Sequence, residues 1–148
     1  MTHEQLIKLT HDVIGAAFEI KRILGSHLYE RTYEEAMKIE LKDLGYICES
    51  QVQLPVLYKG HEIQNAYRID LLVEGILPLE LKALPYMGAN EVSQILSYLT
   101  FGNFLLGYLI NFHASDMKPR VLPKDDSLLY SGIYRVISPR SFITLPLA

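Results

Sequence analysis

Nine consecutive residues near the middle of the chain, Ile76-Leu77-Pro78-Leu79-Glu80-Leu81-Lys82-Ala83-Leu84, are apolar except at Glu80 and Lys82. Ionised side chains are rarely buried unless they are paired or bound to a metal, so this segment restricts the fold more than any other. Read as a strand, its period of two sends Leu77, Leu79, Leu81 and Ala83 to one face and Glu80 with Lys82 to the other. One carboxylate and one ammonium then point the same way, close together. A chain that needed only a core would place Val or Ile at those positions.

The 148 residues are enough for one domain, spanning 1–148, with a substantial core and no disulfide or structural metal. The single cysteine, Cys48, reads as a small apolar residue, and a chain unable to form an internal disulfide suits a reducing compartment. Met1-Thr2-His3-Glu4-Gln5 opens a charged amphipathic pattern rather than the apolar core of a secretory signal, and the longest apolar run, 104–110, is far short of a bilayer span. A soluble, cytoplasmic protein without membrane association is therefore expected. A net charge of −3 and a pI near 5.9 count against a protein that coats nucleic acid indiscriminately. They do not count against a metal-binding nuclease, whose carboxylates are offset by the ion. Beyond Ser115, Lys118, Arg120, Lys124, Arg135 and Arg140 outnumber Asp116, Asp125 and Asp126, which reads as a solvated tail or a substrate face.

Thr2 and Gln5 are spaced as a capping box, and Leu6, Leu9, Val13, Ile14, Ala17, Phe18 and Ile20 recur at helical spacing to about residue 23, with Gly25 as the stop. A second helix is predicted over 28–44, ended by Gly45. The texture then changes to short strands at 46–49, 51–58, 63–73 and 76–84, with turns at Lys59-Gly60-His61 and Glu74-Gly75, an antiparallel meander. Asn90 is expected to cap a helix running to about 101, and 104–112 reads as a buried strand. Strand, helix, strand in that order favours a parallel crossover, so the sheet is expected to be mixed. The prolines after Asp116 leave weak signals, with edge strands expected at 128–130 and 133–137.

Metal-assisted hydrolysis of a phosphodiester needs carboxylates to hold a hard cation and a positive group beside the attacking water or the developing charge on phosphorus. Asp70 at the end of one strand, faced by Glu80 and Lys82 two apart on the next, supplies that minimum set. Gln94 and Tyr98 fall four apart on one helix face and so reach toward one place. The five histidines show no ligand spacing that would mark a zinc site. Simpler readings stand beside these. Glu30 fits an exposed helix position, Glu80 with Lys82 a structural ion pair, Asp70 a turn initiator, and Tyr98 a core position. Arg68 either contacts phosphate or pairs with Asp70, two residues away on the same face.

Asp70, nine intervening residues and Glu80-Leu81-Lys82 together resemble the catalytic signature of the PD-(D/E)xK nuclease superfamily. The order helix, meander, helix, strand is also that superfamily's. More narrowly, residues 6–120 resemble its small GxxExxY family. The matching stretches include Ile14-Gly15-Ala16-Ala17, Leu28-Tyr29-Glu30-Arg31-Thr32-Tyr33-Glu34-Glu35-Ala36, Tyr67-Arg68-Ile69-Asp70-Leu71-Leu72-Val73, Leu79-Glu80-Leu81-Lys82-Ala83 and Gln94-Ile95-Leu96-Ser97-Tyr98-Leu99. Where the name motif begins with glycine this chain has His27, so that motif matches at Glu30 and Tyr33 alone.

The resemblance implies a restriction-endonuclease-like α/β fold, a mixed sheet flanked by helices in a single domain. It also implies a nuclease acting on DNA or RNA with Mg2+, for which Mn2+ substitutes. By position, Asp70 and Glu80 would hold the metal, with Glu30 completing the site directly or through water. Lys82 would orient water or stabilise charge, and Gln94 would support the catalytic group. Arg68, Tyr98 and Tyr33 are the candidate substrate contacts. Nucleic acid, DNA first, is the implied partner, and a homodimer or a larger complex is left open. The alternative is a catalytically silent nuclease-fold module that binds nucleic acid or a protein.

Overall fold

The structure, a computed structural model, describes residues 1–124. Helix α1 (His3–Leu24) begins at the expected capping box, in which the Gln5 N–H donates to Thr2 Oγ1 (3.2 Å) and the Thr2 N–H to Gln5 Oε1 (2.8 Å). Helix α2 (Glu30–Asp43) follows after a short loop. Their buried stripes, Leu6, Leu9, Val13, Ala17 and Ile20 on α1 and Tyr33, Met37 and Leu41 on α2, turn toward one side of the molecule. That is the face on which the sheet lies.

Strands β1 (Cys48–Tyr58), β2 (His61–Val73), β3 (Leu77–Lys82), β4 (Leu106–Asn111) and β5 (Arg120–Pro123) are neighbours in that order. The first three form the antiparallel meander read from the sequence. Helix α3 (Ala89–Gly102) then crosses over, β4 pairs parallel to β3, and β5 returns antiparallel to β4. The mixed sheet is covered on both faces. Leu71, Val73, Leu77, Leu79 and Leu81 pack under α1 and α2, while Leu72, Leu109 and Leu122 pack with Ile95, Tyr98 and Leu99 of α3. The apolar character of β3 follows from being the middle strand between two helical layers.

Several boundaries differ from the sequence reading. The pieces expected at 46–49 and 51–58 form one strand, because Gln51 at φ 55° only interrupts the ladder between Ser50↔Leu71 and Val52↔Ile69. Helix α3 is capped by Gly88 rather than Asn90; the Gly88 N–H donates to Glu91 Oε2 (2.8 Å) one turn ahead. Strand β3 stops at Lys82, short of the expected 84. Strand β5 had no clear signal, since Pro119 and Pro123 bracket it. The strands expected at 128–130 and 133–137 lie outside the described residues. No helix among the described residues is long and apolar enough to cross a membrane.

Two local features shape the surroundings of the sheet's middle strands. Between the pairs Leu54↔Tyr67 and Val56↔Ile63, Pro55 faces Gln64, Asn65 and Ala66. Proline has no N–H for the ladder, so β2 bulges there, with Asn65 at φ 57°. On the other side of the sheet Gly107 lets α3 lie close, since a Cβ there would meet Ile95 Cδ1 at 3.0 Å and the Pro78 carbonyl oxygen at 3.1 Å. Gly107→Ala is therefore expected to lower stability by about 1–3 kcal/mol, read as a drop in melting temperature. An unchanged melting temperature would show that α3 can retreat without cost.

Candidate active site

Antiparallel pairing of β2 with β3 runs from Val73↔Leu77 to Leu71↔Leu79 and then ends. Asp70 and Glu80 are the next residues along, where the strands part. The Leu81 N–H has no carbonyl of β2 to donate to and donates instead to Asp70 Oδ2 at 2.9 Å. The strands change faces about the same point, opposite Gln51 at φ 55°: Leu71 and Val73 belong to the core under α1 and α2, yet Ile69 and Tyr67, of the same parity, pack with α3. The sequence places the carboxylates together; the parting of the strands opens the space between them.

That space is an open cleft of about 580 Å³, lined by Asp70, Glu80, Lys82, Gln94, Glu30 and Arg68 among others. Six of the eight residues singled out in the sequence thus share one cavity. Glu80 is 1% exposed, and its Oε1 lies 3.0 Å from Lys82 Nζ. Its Oε2 is buried without a hydrogen-bond partner. Tyr98 is near, but its hydroxyl proton is committed to the Arg68 carbonyl at 2.6 Å. Burial, reinforced by the neighbouring Asp70 charge, pushes the Glu80 carboxyl up to about 7. Asp70 is raised too, by burial first, against the Leu81 N–H that favours its charged form.

Lys82 opposes these two carboxylates. Burial works against its charge, but Glu80, Glu30 and Asp70 together hold its ammonium above the ordinary lysine range. Its Nζ also donates to Gln94 Oε1 (3.2 Å), and Gln94 Nε2 donates to the Tyr98 hydroxyl (2.8 Å). The amide of Gln94 is thus fixed in one orientation by a tyrosine whose own proton is spent elsewhere. Two carboxylates against one ammonium leave an excess negative charge in a poorly solvated place. An orphaned carboxylate oxygen beside a second carboxylate is a donor pair whose chemistry fits a hard cation.

Glu30 reaches the cleft rim from the first turn of α2, where the helix dipole favours a carboxylate. Its Oε1 accepts from the Ala83 N–H at 3.4 Å. Among the described residues no three His, Cys, Asp or Glu side chains form a group that could hold an ion. Glu30 is thus brought to the rim beside the Asp70 and Glu80 pair, without forming one cluster with them. Arg68 is exposed and forms no ion pair with Asp70 among the described residues, which removes the pairing alternative.

Tyr33 and Tyr98, named from the sequence as candidate substrate contacts, lie in the core, as the simpler reading of Tyr98 had it. Both are 0% exposed and neither lines the cleft as a substrate contact. Tyr33 stacks on Phe112 with ring centroids 4.4 Å apart; its hydroxyl donates to the Gly25 carbonyl (2.7 Å) and accepts from the Leu28 N–H (3.3 Å). It fastens the loop that leads to Glu30. His27 within that loop has φ 77°, a conformation glycine adopts freely, and its ring meets His113 edge-on at 5.0 Å.

Sequence reasoning did not find Asn111, Gln53 or Asn65. Asn111 Oδ1 accepts from the Leu84 and His113 N–H groups (3.0 and 3.2 Å) and its Nδ2 donates to the Leu84 carbonyl (2.9 Å), clamping the chain just after Lys82. Gln53 and Asn65 line the cleft beside Arg68. Pro55 inside a predicted strand was the available sign of the bulge that brings Asn65 there.

A mixed sheet between helical layers, with two acidic side chains and a lysine gathered where its middle strands part, defines an α/β protein of restriction-endonuclease-like fold. The family model of the PD-(D/E)XK nuclease superfamily matches residues 7–122, and the chain belongs to that superfamily. No curated protein matches the chain. A solved structure titled "Crystal structure of SSO0001" is similar to it at 16% identity, over 78% of this chain and 70% of that one, with a TM-score of 0.49.

Proposed function

We propose that this protein is a metal-dependent nuclease of the GxxExxY kind, hydrolysing phosphodiester bonds in DNA or RNA with Mg2+ or Mn2+. The observation that carries the reading is the pair of half-buried Asp70 and buried Glu80, left one charge short of neutral by Lys82 and with Glu80 Oε2 unpartnered. Mg2+ is ordinarily bound through one or two carboxylates, with waters and substrate phosphate filling the rest, so two protein donors suffice. Asp70 and Glu80 would hold the ion, and Glu30 would act through water. A cation held there supplies Lewis acidity and a more acidic water.

The chain's own residues do the rest. Lys82, kept charged by its acidic neighbours and aimed by Gln94, stabilises the negative charge that develops on phosphorus. Tyr98 holds Gln94, and Asn111 holds the backbone beyond Lys82. The left-handed backbone at His27, where the GxxExxY motif has glycine, supports that narrower kinship, as does Tyr33 fastening the loop in front of Glu30. A free, half-buried Cys48 fits work in the reducing cytoplasm.

Purified protein with Mg2+ or Mn2+ is expected to cut DNA or RNA substrates, with no cutting in chelator. Asp70→Asn should abolish cutting and leave the far-ultraviolet circular dichroism unchanged, because the asparagine Oδ1 still accepts from Leu81. Cutting that survives this change would overturn the proposal and favour a module that only binds.

A further inference from the structure

We infer that Gln53, Asn65 and Arg68 form a subsite that grips the nucleotide next to the reacting phosphate and reads its base. The inference rests on the nuclease reading in taking a nucleic acid as ligand. It starts from the asymmetry of the cleft. Glu80 and Lys82 come from the end of β3 and Glu30 from α2, whereas Asp70 and the wall beyond it belong to the β1–β2 ribbon. Gln53 and Arg68 are opposite one another in the ladder, and the bulge adds Asn65 beside them.

These three side chains are exposed, line the cleft and have no hydrogen-bond or ion-pair partner among the described residues. Elsewhere in the cleft Lys82, Gln94 and Asp70 all have partners, and Glu80 Oε2 is the buried oxygen without one. An unpaired guanidinium suits a phosphate, and a free carboxamide offers a donor and an acceptor side by side, the pattern that pairs with a base edge. The bulge is the means of placement. Pro55 cannot pair, so β2 loops outward, and asparagine tolerates the positive φ of 57° that this requires. Tyr67, next to Arg68, also lines the cleft and is held by stacking on Phe101 with ring centroids 5.9 Å apart. Arg68 supplies grip without sequence information, and the two amides supply discrimination.

The test uses a 5′-fluorescein-labelled DNA oligonucleotide and the full chain carrying Glu80→Gln, in which the proposed catalytic carboxylate is removed. Fluorescence anisotropy gives the dissociation constant for substrates differing at each base. Arg68→Gln is expected to weaken binding about tenfold for every sequence and to reduce its salt dependence. Asn65→Gly, which keeps the backbone conformation, and Gln53→Ala are expected to weaken binding about fivefold or more for the preferred base and to level the preference at one position. Affinities within twofold of the parent in all three variants, or no binding by the parent, would overturn the subsite. Cleavage by the unmodified protein is measured alongside. Variant-sensitive binding without any cleavage would leave the subsite supported and sink the nuclease reading alone.

Discussion

Glu80→Gln is expected to raise the melting temperature of the metal-free protein at pH 8 while removing its cleavage. In the folded chain burial and the Asp70 charge lift the Glu80 carboxyl from 4.5 to about 7. Between those values the folded protein keeps a proton that the unfolded chain has released. Stability therefore falls as pH rises through this window, and the full loss is present above about 7. The gap corresponds to about 3 kcal/mol, and the raised Asp70 adds in the same direction. Glutamine is neutral at every pH and escapes this loss. Scanning calorimetry in chelator should show the parent's midpoint falling by on the order of 5–10 °C from pH 5 to pH 8 and the variant's falling much less. A variant less stable than the parent at pH 8 would mean that the Glu80 charge stabilises the fold, and the cation site would lose its main support. A divalent cation should protect the parent more at pH 8 than at pH 6.

Lys82→Ala should separate holding the metal from using it. The ammonium touches Glu80 Oε1 at 3.0 Å and Gln94 Oε1 at 3.2 Å, and its side chain is only 16% exposed. On the proposed reading its removal deletes the positive group beside the reacting phosphate, so cleavage should fall by about 10²–10³-fold. It also leaves two carboxylates without their offsetting charge. Calorimetric titration at pH 8 should then show Mn2+ bound as tightly as by the parent, or more tightly. Loss of Mn2+ binding together with cleavage would assign Lys82 to the architecture of the site rather than to its chemistry.

Much of the fold and site was legible from the chain. Period two in 76–84 placed Glu80 and Lys82 on one face, helical spacing placed Gln94 and Tyr98 together, and the element order gave the mixed sheet. What period and spacing do not encode is where strands stop pairing. The parting at Asp70 and Glu80 goes with a break in the alternation of β2 opposite Gln51, which moves Ile69 and Leu71 into different cores despite their shared parity. Tyr33 was misread for a related reason. A tyrosine three residues after an acidic cleft residue looks like a neighbour of the substrate, but its hydroxyl is spent on the loop at Gly25 and Leu28. Asn65 was invisible because a bulge shifts the register, and register is a property of two strands at once.

Asp70 also substitutes for a backbone group, since its carboxylate takes the Leu81 N–H that the diverging strand leaves behind. An acceptor at this spot maintains the ladder whether or not any chemistry occurs. An asparagine Oδ1 could take the same N–H without the cost of a partly buried charge, so the ladder alone does not call for the aspartate. On the proposed reading it is the cation that calls for the charged member of the pair. A lineage that gives up cleavage would record the change first as an exchange of Asp70 for asparagine, with the sheet intact around it.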